Sequence, residues 1–350
     1  MTNRRTFIKQ ASYAGMLASI PSILLPNRKP SERMIWAYLL QLSNNMWQDH
    51  ISPEYKDENF ICKTCDDAAA WTNGYRPYLT FDETTWDKLL KEMVTAGINM
   101  VVIDLGNGIQ YESHSEISVK NAWSTTQLRT ELSKIRKMGL EPIPKLNFST
   151  THDIWMGEYS RMVSTEKYYS VCRDLIEEVI SHFDKPRFFH LGMDEESASN
   201  QARQDYICVR QNDLWWGDFY FYIGEVERNG VRPWIWSDYV WHHPDVFFKK
   251  MPKSVLQSNW YYDTKFGPDV DMVKYYNELE KYGYDQIPTG SNHSDPSNFG
   301  LTVDYCKNVI DPSRLLGFMS APWRPTLAPC YERHKEAIDQ VASAKEKFDS

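Results

Sequence analysis

The 350-residue sequence has no glycine-rich phosphate loop, no membrane-length apolar run, no excess of positive charge and no cysteine framework. The first absence speaks against an open nucleotide-binding sheet, which carries such a loop after its first strand. Here that place is taken by Gln41-Leu42-Ser43-Asn44-Asn45-Met46-Trp47. The longest apolar stretch, roughly residues 11–25, is broken by serines and prolines and falls short of the ~20 residues that span a bilayer. It contains no cysteine, which argues against a lipid anchor. The net charge is −8, and without residues 1–30, which hold five basic residues and no acidic ones, it moves to −13. Such a surface repels phosphate backbones and anionic lipid, so neither nucleic acid nor membrane is an expected partner. The six cysteines are too sparse for a disulfide scaffold. Cys62-Lys63-Thr64-Cys65 is the only close pair and reads as a loop feature, because Cys172, Cys208, Cys306 and Cys330 offer no spacing that completes a zinc site. No metal and no cofactor is implied.

What is present begins with Asn3-Arg4-Arg5-Thr6-Phe7-Ile8-Lys9, followed by the weakly apolar stretch and then by Asn27-Arg28-Lys29. This order resembles a twin-arginine export signal, so residues 1–30 are expected to direct the chain to the periplasm. Residues 31–350 are expected to form one domain.

Within them, short apolar runs alternate with amphipathic stretches, the rhythm of parallel strands covered by helices. Strands are expected at 34–42, 99–105, 141–147, 187–193, 232–236, 254–260, 285–289 and 315–320. Helices are expected around 83–96, 125–138, 166–182, 202–229, 244–250, 270–282, 300–310 and 331–347. Thr84, Trp86, Leu89, Leu90, Met93 and Val94 follow the 3.6-residue period. Gly97, Gly139, Gly230 and Gly283 each stand between a helix and the next strand, where a left-handed C-cap is wanted. Eight such pairs predict an α/β fold of the (β/α)8 TIM-barrel type. The one long irregular insertion, about 43–80, follows the first strand on the face where barrels build their sites.

The C-terminal ends of the strands carry Asp104, then Asn147 and His152, then Asp194 and Glu195. Trp236 and Asp238 follow, then Trp260, Tyr261 and Tyr262, then Ser291 and Asn292, and last Trp323. Carboxylates for proton transfer, amides for hydroxyls and indoles for ring faces suit a carbohydrate partner. The chain's 13 Trp, 21 Tyr and 15 Phe agree with that bias, although large barrels bury many aromatics in any case.

The run Phe188-Phe189-His190-Leu191-Gly192-Met193-Asp194-Glu195 resembles the His-x-Gly-x-Asp-Glu motif of family 20 glycoside hydrolases, the β-N-acetylhexosaminidases. The resemblance implies that Glu195 is the general acid and that Asp194 orients a 2-acetamido group whose carbonyl oxygen attacks the anomeric carbon. It further implies that His152 and Asp104 assist Glu195. Asn147, His190, Trp236, Asp238, Trp260, Tyr261, Tyr262, Asn292 and Trp323 are the expected substrate-binding residues. Neighbouring residues of a strand point to opposite faces, so both carboxylates reach one ligand only where the strand is already turning. A second possibility is that the acids merely favour the next helix N-terminus.

Three departures from the family's pattern stand out. No arginine ends the first strand; Arg324-Pro325 follows Trp323 where an acid is usual; and no tyrosine accompanies Ser291-Asn292, leaving Tyr261 or Tyr262 to substitute. A glycosidase for another sugar, pairing Glu195 with Asp104 or Asp238, and a carbohydrate-binding barrel without catalysis therefore stay open.

Overall fold

Eight apolar segments become eight parallel strands: β1 (Ile35–Gln41), β2 (Met100–Asp104), β3 (Glu141–Lys145), β4 (Phe188–His190), β5 (Arg232–Trp236), β6 (Leu256–Ser258), β7 (Thr289–Gly290) and β8 (Gly317–Ser320). They pair in the order β6-β5-β4-β3-β2-β1-β8-β7. Bridges at Gln257–Gln286 and Trp260–Thr289 join the two ends and close the barrel. The computed structural model describes residues 33–51 and 74–350. The expected export segment and the Cys62/Cys65 pair lie outside the described residues.

Alternation along the strands sorts two cores. Ile35, Ala37, Leu39, Met100, Val102, Ile143, Phe188, Trp234, Trp236, Leu256, Ile287 and Met319 fill the barrel interior. Their intervening neighbours, such as Trp36, Tyr38, Leu40, Val101, Ile103, Phe189 and Leu191, pack outward under the helices. Inward positions are thus odd on β1, β3, β7 and β8 and even on β2, β4, β5 and β6, a parity that carries into the loops above.

The covering helices are α1 (Glu83–Thr95), α2 (Thr125–Lys137), α3 (Glu166–His182), α4 (Asp213–Arg228), α5 (Tyr239–His242), α6 (Pro244–Lys250), α7 (Lys274–Lys281), α8 (Asn298–Val309) and α9 (Tyr331–Asp349). Asp82, Ser124 and Thr165 cap the first three, their side-chain oxygens accepting from Thr85, Gln127 and Tyr168 N–H. The four inter-element glycines have φ between +69° and +85°.

Several elements are shorter than expected, and two of these departures have a visible cause. The helix expected from 202 begins only at Asp213, because the preceding loop is tied otherwise: Gln201 Oε1 accepts Cys208 N–H at 2.7 Å and its Nε2 donates to Cys208 O at 2.7 Å. β4 stops short of the expected 187–193 at both ends: Pro142 and Pro144 of β3 lack the N–H groups that would face its start, and beyond its end Gly192 and Met193 turn to positive φ. Odd residues of β3 bond β2, as in Glu141 N to Asn99 O, while even ones bond β4, as in Leu146 N to His190 O.

Candidate active site

β4 does not simply end; it is wrenched open. Gly192, Met193 and Glu195 all have positive φ, at 71°, 77° and 56°. Left-handed backbone is costly for residues with a side chain, and here it breaks the alternation that would send Asp194 and Glu195 to opposite faces. Both carboxylates therefore enter one pocket of about 250 Å³ at the C-terminal end of the barrel. Met46, Trp47, Asn147, His152, Trp260, Tyr262, His293 and Trp323 line it with them.

Hydrogen bonds from the flanking loops hold the turn. Asn147 Nδ2 donates to Asp194 Oδ1 at 2.7 Å, while Asn147 Oδ1 accepts Met193 N–H and Ser149 N–H, each at 3.1 Å. Ser149 Oγ donates to the Asp194 carbonyl. Glu195 N–H donates to Asp238 Oδ2 at 2.8 Å, and its carbonyl accepts from Thr151 Oγ1 at 2.7 Å and Asn200 Nδ2 at 3.0 Å. Next along, Glu196 is gripped by Arg210 through its backbone N, Nε and Nη2 at 2.8, 3.0 and 2.6 Å. The same guanidinium reaches Phe148 O, Asp218 and the Tyr222 hydroxyl, binding the loops after β3 and β4 to α4.

His152 Nε2 lies 3.3 Å from both Asp194 Oδ2 and Glu195 Oε2, although neither ring nitrogen makes an aligned hydrogen bond. Burial works against a charge on this ring, but the two carboxylates outweigh it and push its pKa up to about 10. Burial likewise opposes ionisation of Asp194, yet His152, Lys145 and the Asn147 amide hold its carboxyl well below the usual range. The side chain of Asp194 is 8% exposed and that of Glu195 39%, so the inner carboxylate is fixed and the outer one faces the mouth. His152, Asp194 and Glu195 have ligand atoms close enough to share a metal ion. An ion there would have to displace the His152 proton.

Aromatic rings form the walls. Trp260 stacks on Tyr262 with centroids 5.1 Å apart, Trp323 Nε1 donates to the Tyr262 hydroxyl at 2.9 Å, and Trp47 meets His152 edge-on at 5.6 Å.

Of the expected site residues, the structure brings Asn147, His152, Asp194, Glu195, Trp260, Tyr262 and Trp323 to the pocket. The others lie around it. Asp104 sits below, in a buried ion pair with Lys145 Nζ at 2.5 Å. His190 is wedged between Trp234 and Trp236 in the barrel core, its Nδ1 accepting Gly192 N–H and its pKa driven well down by burial and Lys145. Trp236 is core and packs beneath Trp323 at 5.8 Å. Asp238 stands behind the wall, accepting from Glu195 N–H and from Trp260 Nε1 at 3.3 Å; burial, with the Asp194 charge, pushes its pKa up to about 8. Tyr261 turns away to Phe266, and Asn292 is taken up by Arg333 O and Glu336.

Met46, Trp47 and His293 line the pocket without having been expected, and Lys145 supports it from below. Parity would have found His293 and separated Tyr262 from Tyr261, since odd residues after β7 and even residues after β6 continue inward. Met46 and Trp47 carry no such signal beyond their place after β1.

No family model matches the chain, and no curated protein matches it. Solved structures do. A chitobiase of Flavobacterium johnsoniae aligns with TM-score 0.54 at 14% identity, covering 77% of this chain and 50% of that one. A β-N-acetylhexosaminidase of Bacteroides fragilis aligns with TM-score 0.57 at 12% identity, covering 88% and 65%. Dispersin B aligns with TM-score 0.53 at 13% identity, covering 89% and 99%. The chain thus spans half to about two thirds of the first two and nearly all of the third. At these identities the likeness establishes a shared (β/α)8 barrel.

Proposed function

We propose that this barrel is a retaining glycoside hydrolase acting on a 2-acetamido sugar by substrate assistance. The observation that carries the reading is the pairing of a buried, ionised Asp194 with an outward-facing Glu195, both 3.3 Å from one His152 imidazolium. Two independent carboxylates would stand ~5–5.5 Å apart for a covalent intermediate or ~6.5–9.5 Å apart for inversion. Neither Asp104 nor Asp238 lines the pocket to play such a partner. When the sugar supplies the nucleophile, only one carboxyl must reach the glycosidic oxygen.

In this reading Glu195 protonates the leaving oxygen while the acetamide carbonyl oxygen bonds to the anomeric carbon. Asp194 accepts the acetamide N–H and stabilises the positive charge that develops on that group. Water then opens the cyclic intermediate, with Glu195 taking its proton. His152 holds a proton beside both carboxylates throughout. Trp260, Tyr262 and Trp323 give the sugar apolar faces, and a pocket near the small end of ligand sites (~300–1,000 Å³) suits one ring at a chain end. The barrel likeness to chitobiase and hexosaminidase structures supports the same reading.

A stable cyclic thiazoline that mimics the intermediate tests it. Inhibition far stronger than by the parent sugar is expected; no inhibition would remove the substrate-assisted step.

A further inference from the structure

Among the described residues, Arg324 is a cation without a counter-ion. Its residue is 6% exposed, and its Nη1 reaches only His293 Nδ1 at 3.2 Å and the Trp323 carbonyl at 3.1 Å. Its Nε is buried and unbonded, and no carboxylate lies within ion-pair distance among the described residues. The nearby Arg333, by contrast, is matched by Glu336 at 3.0 Å. Burying an unmatched guanidinium is expensive, and that cost needs a use.

The guanidinium can only donate, so His293 Nδ1 must accept, and the ring proton sits on Nε2. Burial and the charges of Arg324 and Arg333 together hold the ring neutral by lowering its pKa. His293 lines the pocket, and its Nε2–H has no partner within the described protein. Strand order puts β8, which leads to Arg324, four places from β4 in either direction, and β7, which leads to His293, three places from it. The pocket therefore has carboxylates on one wall and, on the far wall, an N–H donor with a positive charge behind it.

Resting on the glycosidase reading, we propose that this far wall is a subsite for an anionic substituent on the sugar, a sulfate ester or a carboxylate. Its oxygens accept from His293 Nε2–H and are drawn by the Arg324 charge. The opposite wall repels the same group, so charge alone orients the ring with its anomeric carbon towards Glu195.

Calorimetry on the full chain tests the subsite apart from catalysis, using two pairs: N-acetylglucosamine with its 6-sulfate, and glucose with glucuronic acid. The charged member of at least one pair should bind about tenfold or more tighter, a gap typical of a charge-assisted contact, and the pair concerned identifies sulfate or carboxylate. The gap should shrink in ~0.5 M salt, where screening is strong. Arg324→Gln should close it and Arg324→Lys should keep most of it. His293→Phe, at an exposed position, should weaken the charged sugar more than the neutral one. Neutral sugars binding as well as charged ones in both pairs, or a gap that survives Arg324→Gln, would overturn the subsite. If neutral aryl glycosides are hydrolysed with no charged preference, the subsite falls and the enzyme reading stands. Tight charged binding with no hydrolysis of any glycoside gives the reverse.

Discussion

A Cβ on Gly192 would stand 2.0 Å from Oδ1 of Asn147, the atom that accepts Met193 N–H and Ser149 N–H. The glycine of the motif is thus the space in which Asn147 lies, and Asn147 is what aims Asp194.

Gly192→Ala should therefore cost both stability and turnover. The residue has φ of 71°; left-handed backbone and overpacking together cost about 2–5 kcal/mol. Chemical denaturation should show that loss, and kcat should fall with it as Asn147 is pushed off Asp194. Wild-type stability would mean that the turn relaxes without consequence.

Arg210→Met should destabilise the barrel by about 3–5 kcal/mol, because it leaves buried Glu196 and Asp218 without their cation. Adding Glu196→Gln should recover part of the loss. If the single variant unfolds like the wild type, the loops after β3 and β4 are held by other contacts.

Asp238 should set an alkaline limit. Its pKa of about 8 lies above the unfolded value of ~3.9, so the folded state binds the extra proton between them and stability declines as pH rises across that window. Above pH about 8 a second negative charge stands beside Asp194, behind the Glu195 backbone that Asp238 holds, and kcat should fall. Asp238→Asn should flatten both profiles. A limb near pH 8 that persists in this variant would belong to another group.

Glu195→Gln should lower turnover by roughly 10²–10⁴ with little change in binding, the usual size for losing a general acid. The loss should shrink for nitrophenyl leaving groups, which need less protonation. Equal losses on good and poor leaving groups would take the acid role from Glu195.

The barrel was legible because alternation and amphipathic period are local properties of the chain. Asp194 and Glu195 stood out for the same reason, at the end of a strand. What was hidden depends on contacts across the barrel. Lys145 shares the inward parity of β3, but only the β2–β3 register shows that its partner is Asp104. Trp236 and Asp238 share the inward parity of pocket residues, but other side chains cover them: Trp323 packs on the first and Trp260 on the second. Extending strand parity past the strand ends picks His293 over Asn292. The same parity fails at Glu195, where three positive φ values undo it.

Substrate assistance is tested most directly by comparing an aryl 2-acetamido glycoside with its 2-hydroxy analogue on the wild type and on Asp194→Asn. A nucleophile held beside the anomeric carbon has an effective molarity of ~10⁵–10⁸ M. The wild type should therefore favour the acetamido sugar by several orders of magnitude, and Asp194→Asn should erase most of that preference. Equal wild-type rates on the two sugars would contradict the account.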